Sequence, residues 1–269
     1  MQLSWLDKHD SWLIVLLLLV AMLLSAEIAC LVGRRLSPRA VEASKGHFFT
    51  VVGSLLGLLA LLVSFTFSMA TQRYEARRLT MLEDVNAIGT FYLRTCLLPE
   101  EQRGQIKPLL KQYLDLRPQT VAQEGNAGEF ETREDRSRAL LLEMWGVTRD
   151  MARAVPEVKG SDNAIRALIE LAASHTRRLS ALVNRVPDTV IWMLLGAAIV
   201  GMAVIGYSAG LGNHRGMPAR IMLSVLVCGT IYVVFDLDRP HNGVFQVDQA
   251  PIIRLQRIIA QDPETRATP

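Results

Sequence analysis

Apolar residues are concentrated in four blocks, and each block is about as long as a helix needs to cross a bilayer. The blocks are Trp12–Val32, His47–Ala70, Val190–Leu211 and Pro218–Phe235. Most of the charged residues lie between the second and third blocks, from Arg73 to Arg185. This pattern predicts an all-α membrane protein with four transmembrane helices and a helical polar domain inserted between the second and third.

The ends of the apolar blocks give the expected domain limits. We expect a first transmembrane pair in residues 1–71, an extramembrane domain in 72–187, a second transmembrane pair in 188–236 and a polar tail in 237–269. The first apolar run continues to Val32, which is longer than the apolar part of a signal peptide, so we interpret it as a retained span. Glu27 lies inside this span, where it either reaches toward the headgroups or faces the protein interior.

Helical spacing continues beyond the second span. No Pro or Gly interrupts the chain from Leu58 to Ile88, which predicts one helix that runs straight out of the membrane and ends before Pro99. The polar domain and the tail contain further predicted helices that begin at Pro99 or cover Arg138–Val155, Asn163–Arg185 and Pro251–Ala260. Its glycines make Gln123–Phe130 a predicted loop.

Small residues recur along one face of two spans. They are Gly53, Gly57, Ala60, Ser64 and Ser68 in the second span, and Gly196, Ala197, Ala198, Gly201 and Ala203 in the third. Such spacing lets helix backbones approach closely in lipid. Because these faces exceed what a lone four-helix bundle needs, they predict a homo-oligomer in the bilayer.

Composition and motifs exclude several functions. The net charge of +3 comes from interleaved acidic and basic residues without a basic stripe, so we predict no nucleic-acid partner. The three cysteines and five histidines are scattered, which predicts neither a metal site nor a cofactor. The polar domain has no phosphate-binding loop and no nucleophile motif, so an enzyme is not expected.

Charge is dense immediately after the second and fourth spans. Arg73, Glu75, Arg77 and Arg78 follow the second span, and Asp236, Asp238 and Arg239 follow the fourth. These residues could simply anchor helices at the headgroups, pair along a helix or cap the last turn. We also consider a structural charge network of Glu75, Arg78, Asp236, Asp238 and Arg239, in which Glu75 pairs with a basic residue of a neighbouring helix.

The segment Arg73-Tyr74-Glu75-Ala76-Arg77-Arg78 resembles the one that follows the second span in prokaryotic bestrophins. Glu83, Asp84 and Asn86 fall in the same helix as polar residues of that family, and the order of spans resembles the bacterial bestrophin-like family. The resemblance implies a homopentameric ion channel in the bacterial inner membrane, with the second span lining a narrow neck. The pore-lining candidates are then Gly57, Ala60, Leu61, Ser64 and Phe65, and Arg73 and Arg77 would attract anions at a vestibule.

Alternatives remain for function, orientation and calcium. The small stripe could pack against another helix, and the protein would then be a non-conducting scaffold whose helical domain binds a partner protein. Basic residues in the short loops favour a domain outside the cytoplasm, whereas the resemblance implies a cytoplasmic one, which we adopt. Eukaryotic bestrophins bind calcium beyond the fourth span, but Asp236 and Asp238 followed by Arg239 make a poor oxygen cage, so we predict no calcium site.

Overall fold

The chain is described by a computed structural model over residues 10–35, 45–117, 127–154, 161–211, 217–239, 245 and 247–261. Within these ranges the regular structure is entirely α-helical. The helices are α1 Ser11–Arg35, α2 Lys45–Thr95, α3 Glu100–Asp115, α4 Ala127–Ala154, α5 Ser161–Val183, α6 Asp188–Leu211, α7 Met217–Asp238 and α8 Ala250–Gln261.

Four helices, α1, α2, α6 and α7, contain segments long and apolar enough to cross a membrane. The predicted class, an all-α membrane protein with a helical domain between the second and third spans, is therefore confirmed. The predicted continuity of the second span is also confirmed, because α2 extends over 51 residues without a break. At 1.5 Å per residue such a helix is about 77 Å long, more than twice the thickness of the hydrocarbon core.

The start of α4 was predicted wrongly. The helix begins at Ala127 rather than near Arg138, so the second half of the predicted loop is helical, and residues 123–126 lie outside the described ranges. Polar contacts stabilise this first part: Arg133 pairs with Glu129 at 3.7 Å, and the Thr132 hydroxyl donates to the Gly128 carbonyl at 2.8 Å. The spacing of apolar residues does not predict such a segment, because it is stabilised by i,i+4 contacts between polar groups.

The described residues form two compact units. The first contains those of Met1–Arg73 and Arg185–Phe245, and the second contains those of Tyr74–Asn184 and Gln246–Pro269. The membrane part of α2 belongs to the first unit and its remainder to the second. In the tail that the sequence analysis set apart as 237–269, α8 packs in the second unit, where its Ile252 and Ile259 are buried.

In the first unit, α1 and α6 pack with their backbones in close contact. The buried face of α1 has the helical spacing Ile14, Leu18, Met22, Ala26, Cys30 and Gly33. A Cβ atom at Gly206 would lie 2.7 Å from the Ala26 Cα, and one at Gly33 would lie 2.7 Å from the Tyr207 carbonyl oxygen. No side chain fits at such distances, so these glycines set the separation of the two helices.

In the second unit, α2, α3, α4, α5 and α8 surround one apolar core. Its fully buried side chains include Ile88, Phe91, Tyr113, Leu140, Met144, Leu168 and Leu171. Each helix contributes residues three or four apart, the spacing that one face of an amphipathic helix presents. This core fixes the helices around the charged groups described below.

Candidate pore helix and buried charge network

The membrane part of α2 contacts its own chain along one narrow face. Leu59, Thr66 and Ala70 are buried on that face, with spacings of seven and four residues. In the most apolar 18-residue window of α2 only 11% of the residues are buried, against 44% for α7. Most of this segment is therefore left uncovered by the rest of the chain.

The five pore-lining candidates lie on the uncovered side. Gly57, Ala60, Leu61, Ser64 and Phe65 are all exposed in the single chain, with Leu61 at 50% and Phe65 at 63%. Leu59 follows Gly57 by two residues and Thr66 follows Ser64 by two. Two residues correspond to a rotation of about 200° around the helix axis, so the buried residues lie on the side opposite the candidates. A Cβ atom at Gly53 or Gly57 would meet nothing within 4 Å. The small stripe of α2 therefore does not pack within its own chain.

The two arginines predicted to attract ions lie on the other side of α2. Arg73 and Arg77 follow the buried Thr66 and Ala70 by seven residues each, which is nearly two full turns. Arg77 is only 4% exposed, and Arg73 is half-buried. Glu75, eleven residues after Ser64 and thus close to its direction, has a 45% exposed side chain.

The five residues of the predicted charge network lie in two separate sets of contacts. Glu75 pairs with Arg78 of the same helix at 3.1 Å, so the expected pairing with a neighbouring helix is wrong within the chain. At the end of α7, Asp238 accepts a hydrogen bond from the Val186 amide and Asp236 accepts one from the Phe245 amide, both at 2.9 Å.

These carboxylates connect the end of α7 to the segments beside it. Asp236, Asp238 and Arg239 are all buried, and the Arg239 guanidinium lies 5.7 Å from the centre of the Phe235 ring. Among the described residues, no group of three His, Cys, Asp or Glu side chains is placed to hold a metal ion. The two carboxylates thus fix backbone amides beside the end of α7.

An ion pair lies inside the membrane unit. The Arg220 guanidinium of α7 lies 3.1 Å from the Glu27 carboxylate of α1, and the Arg220 side chain is 7% exposed. Of the two alternatives for Glu27, the structure therefore favours a residue that faces a protein partner. Charged groups in lipid are costly unless they are paired, so this contact stabilises the packing of α1 against α7.

A larger set of buried charges occupies the second unit, and it was not among the predicted sites. We call Asp84, Tyr113, Arg117, Glu134, His175 and Arg178 the buried charge network. Asp84 lies on α2, Tyr113 on α3, Arg117 just after α3, Glu134 on α4, and the last two on α5. Asp84, Tyr113, Arg117 and His175 are all at most 5% exposed.

Asp84 lies at the centre of one half of this network. Its Oδ2 is 3.6 Å from the Arg117 Nε and 3.9 Å from the Arg178 Nη1. Its other oxygen lies 3.2 Å from the hydroxyl of the buried Ser174. A carboxylate on α2 is thus held by groups from two other helical segments.

His175 connects the other half. Its Nε2 lies 2.5 Å from the Glu134 carboxylate, and its Nδ1 lies 3.1 Å from the Tyr113 hydroxyl. The Arg117 guanidinium contacts both the Tyr113 hydroxyl and the His175 Nδ1. Arg117 therefore joins the imidazole to Asp84.

The network shifts the ionisation of its members. Burial raises the pKa of Tyr113, so its hydroxyl stays protonated. Burial also raises the pKa of Glu134, but the neighbouring His175 lowers it more, and the net shift is downward. For Arg117, burial lowers the pKa, but Tyr113 and Asp84 raise it by more, so the net shift is upward. Arg178 has a lowered pKa because of burial and the neighbouring Arg117.

The signal for this network was present in the sequence. Asp84 shares one helix face with the apolar Met81, Ile88 and Phe91, and His175 follows Leu168 and Leu171 on the buried face of α5. A charged residue inside an apolar stripe predicts a buried partner. The partners themselves could not be predicted, because they come from helices far apart in the chain.

Together these features define a helical membrane protein with four spans, whose second span continues as one helix into a bundle of charged and apolar helices. The chain belongs to the Bestrophin-like family: the family model of the Bestrophin-like domain matches residues 15–252. The resemblance stated from the sequence is thereby confirmed.

Solved structures of membrane proteins share the fold. A bacterial bestrophin homologue from Klebsiella pneumoniae is 15% identical, with a TM-score of 0.65 over 95% of this chain and 100% of that one. The crystal structure of a variant membrane protein is also 15% identical, with a TM-score of 0.68 over the same shares of the two chains. No curated protein is significantly similar. At this identity the structures establish a common arrangement of helices.

Proposed function

We propose that the protein is a homo-oligomeric ion channel whose pore is lined by α2. The observation that carries the proposal is the uncovered small and apolar stripe of α2, on the side opposite the buried Leu59, Thr66 and Ala70. A span that its own chain leaves mostly uncovered needs other surroundings, and identical helices around an axis provide them. Membership of the family supports the same function, since bestrophins are channels.

Leu61 and Phe65 are proposed to form the constriction. They are one turn apart, both large, and exposed on the proposed pore side. Repeated around an axis, they would form apolar rings that dewet and resist ions. Gly57, Ala60 and Ser64 would border these rings. By resemblance we propose a pentamer, with the helical unit on the cytoplasmic side of the bacterial inner membrane.

The test is ion flux from liposomes that contain the purified protein. The wild type is expected to conduct, and Phe65→Ala is expected to raise flux several-fold because it widens the constriction. Leu226→Ala is the matched control, since Leu226 is a 66% exposed leucine of another span, α7, whereas the proposed pore is lined by α2. Absence of flux from inserted wild type and Phe65→Ala alike would contradict the channel and favour the scaffold.

The ion class has two candidates. Anions were predicted because of Arg73 and Arg77, and with Arg77 buried this proposal depends on the half-buried Arg73. Cations are supported by the exposed carboxylates of Glu75 and Glu83, although each of these pairs with an arginine. Reversal potentials in a salt gradient decide between them: Arg73→Glu shifts an anion channel toward cations, and Glu75→Gln shifts a cation channel toward anions.

A further inference from the structure

The buried charge network connects the proposed pore helix to the rest of the helical unit. Asp84 is its only member on α2, and it is fully buried. Of the two arginines beside Asp84, Arg117 is the one that also contacts the His175 ring. The His175 imidazole therefore contacts Asp84 of α2 indirectly, through Arg117.

Hydrogen bonding determines the form of His175. A guanidinium can only donate, so the contact with Arg117 requires Nδ1 to accept. The protonated hydroxyl of Tyr113 also faces Nδ1. Nε2 then carries the hydrogen, and it lies 2.5 Å from the Glu134 carboxylate. The structure thus fits a neutral imidazole with its hydrogen on Nε2.

Protonation of His175 would conflict with this arrangement. A hydrogen on Nδ1 would point at the N–H groups of Arg117, and neither nitrogen could then accept. The charged groups that contact the ring are Arg117 after α3 and Glu134 on α4. Asp84 of α2 lies beside Arg117, and Arg178 of α5 lies 3.9 Å from Asp84. Glu134 would stabilise the imidazolium, but Arg117 would have to withdraw from it.

We propose that protonation of His175 controls how firmly α2 is bound to the helical unit, and we call this device the proton-operated hold. Protonation displaces Arg117 from the imidazole and thereby loosens the contact between Arg117 and Asp84. Its effect on conduction rests on the proposed function, because it requires α2 to line the pore. Imidazole is the side chain that proteins use for proton-dependent switches between about pH 5 and 8. The local effect on α2 does not depend on conduction.

Hydrogen exchange on the full-length protein in nanodiscs tests the local effect. Protection of the α2 amides around Asp84 is compared at about pH 5.5 and about pH 7.5, after correction for intrinsic exchange. In the wild type it is expected to fall at the lower pH by roughly tenfold. His175→Gln should abolish the fall, because glutamine can accept from Arg117 and donate to Glu134 but cannot be protonated.

Two neighbours give matched controls. Thr176 and Glu83 are exposed and adjacent in sequence to His175 and Asp84, so Thr176→Val and Glu83→Gln should keep the wild-type fall. Glu134→Gln keeps the histidine and provides a second test if His175→Gln fails to fold. Removing this carboxylate disfavours the imidazolium, so the loss of protection should move to lower pH. An equal fall in wild type and His175→Gln, or no move in Glu134→Gln, would overturn the proposal.

Flux measured at the same two pH values separates this proposal from the channel itself. The wild type is expected to change its flux between them, whereas His175→Gln is expected not to. A change in exchange without flux from any variant would support the proton-operated hold and contradict the channel. Flux that ignores pH, in a protein whose exchange responds to it, would contradict the coupling between the network and conduction.

Discussion

The small-residue faces of α2 and α6 look alike in sequence and pack in opposite ways. On α6, Gly206 and Gly210 lie against the α1 backbone, where a Cβ atom at Gly210 would be 3.0 Å from the Cys30 carbonyl carbon. On α2, Gly53 and Gly57 have open space around them. One face is used within the chain, and the other is available to further copies or to a pore.

The difference shows what a glycine stripe in a span means. Small residues permit close approach, but they do not say which helix approaches. On α6 the partner is α1, and the contact determines the fold of the membrane unit. On α2 the stripe has no partner within the described chain, and this is why we propose that it faces other copies and a pore.

The largest expected effect follows from Gly206→Leu. The added side chain would meet the Ala26 backbone, with its Cβ only 2.7 Å from the Ala26 Cα, so α1 and α6 must separate. Overpacking typically costs about 1–3 kcal/mol and more where backbone is in the way, so the yield of folded protein should collapse. The measurement is the folded, monodisperse fraction in mild detergent. A variant that melts like the wild type would show that α1 and α6 are not in close contact.

The sequence predicted the spans, the unbroken α2 and the family correctly. It did not predict which helix packs against each face of a span. The expected small stripe of α6 ended at Ala203, yet the close contacts lie at Gly206 and Gly210, while Gly196 has open space. Periodicity gives the direction of a side chain around its own helix, and only tertiary packing gives what lies in that direction.

Arg77 illustrates the same limit. Its position after a span predicted an exposed charge, but its helix face is the one that packs on its own chain, so it is buried. The buried charge network was missed because its members come from four helical regions. Its ion pairs join residues separated by tens of positions, and one sequence contains no measure of that proximity.

A smaller effect is expected from Gly57→Leu, and it sharpens the comparison. Nothing within the chain opposes the new side chain, so folding should be retained. If α2 surrounds an axis, each copy adds a leucine to the neck, and flux should fall several-fold. The matched control is Gly229→Leu on α7, an exposed glycine that also has nothing within 4 Å. Equal flux in the two variants would place Gly57 away from the pore.

The smallest effect is expected from Gly53→Ala, one turn before Gly57 on the same stripe. A methyl group there meets nothing within 4 Å, so no clash is introduced. Alanine is also the better helix former, which should stabilise α2 by at most about 1 kcal/mol. We expect an unchanged oligomer and a melting temperature equal to or slightly above that of the wild type.

The comparison variant is Gly210→Ala, where the same methyl group would press on the Cys30 backbone and lower the melting temperature clearly. If Gly53→Ala were as damaging as Gly210→Ala, the α2 stripe would have to be in tight contact with another copy along its length. Such tight packing leaves no axial opening beside Gly53, and the scaffold would then be favoured over the channel.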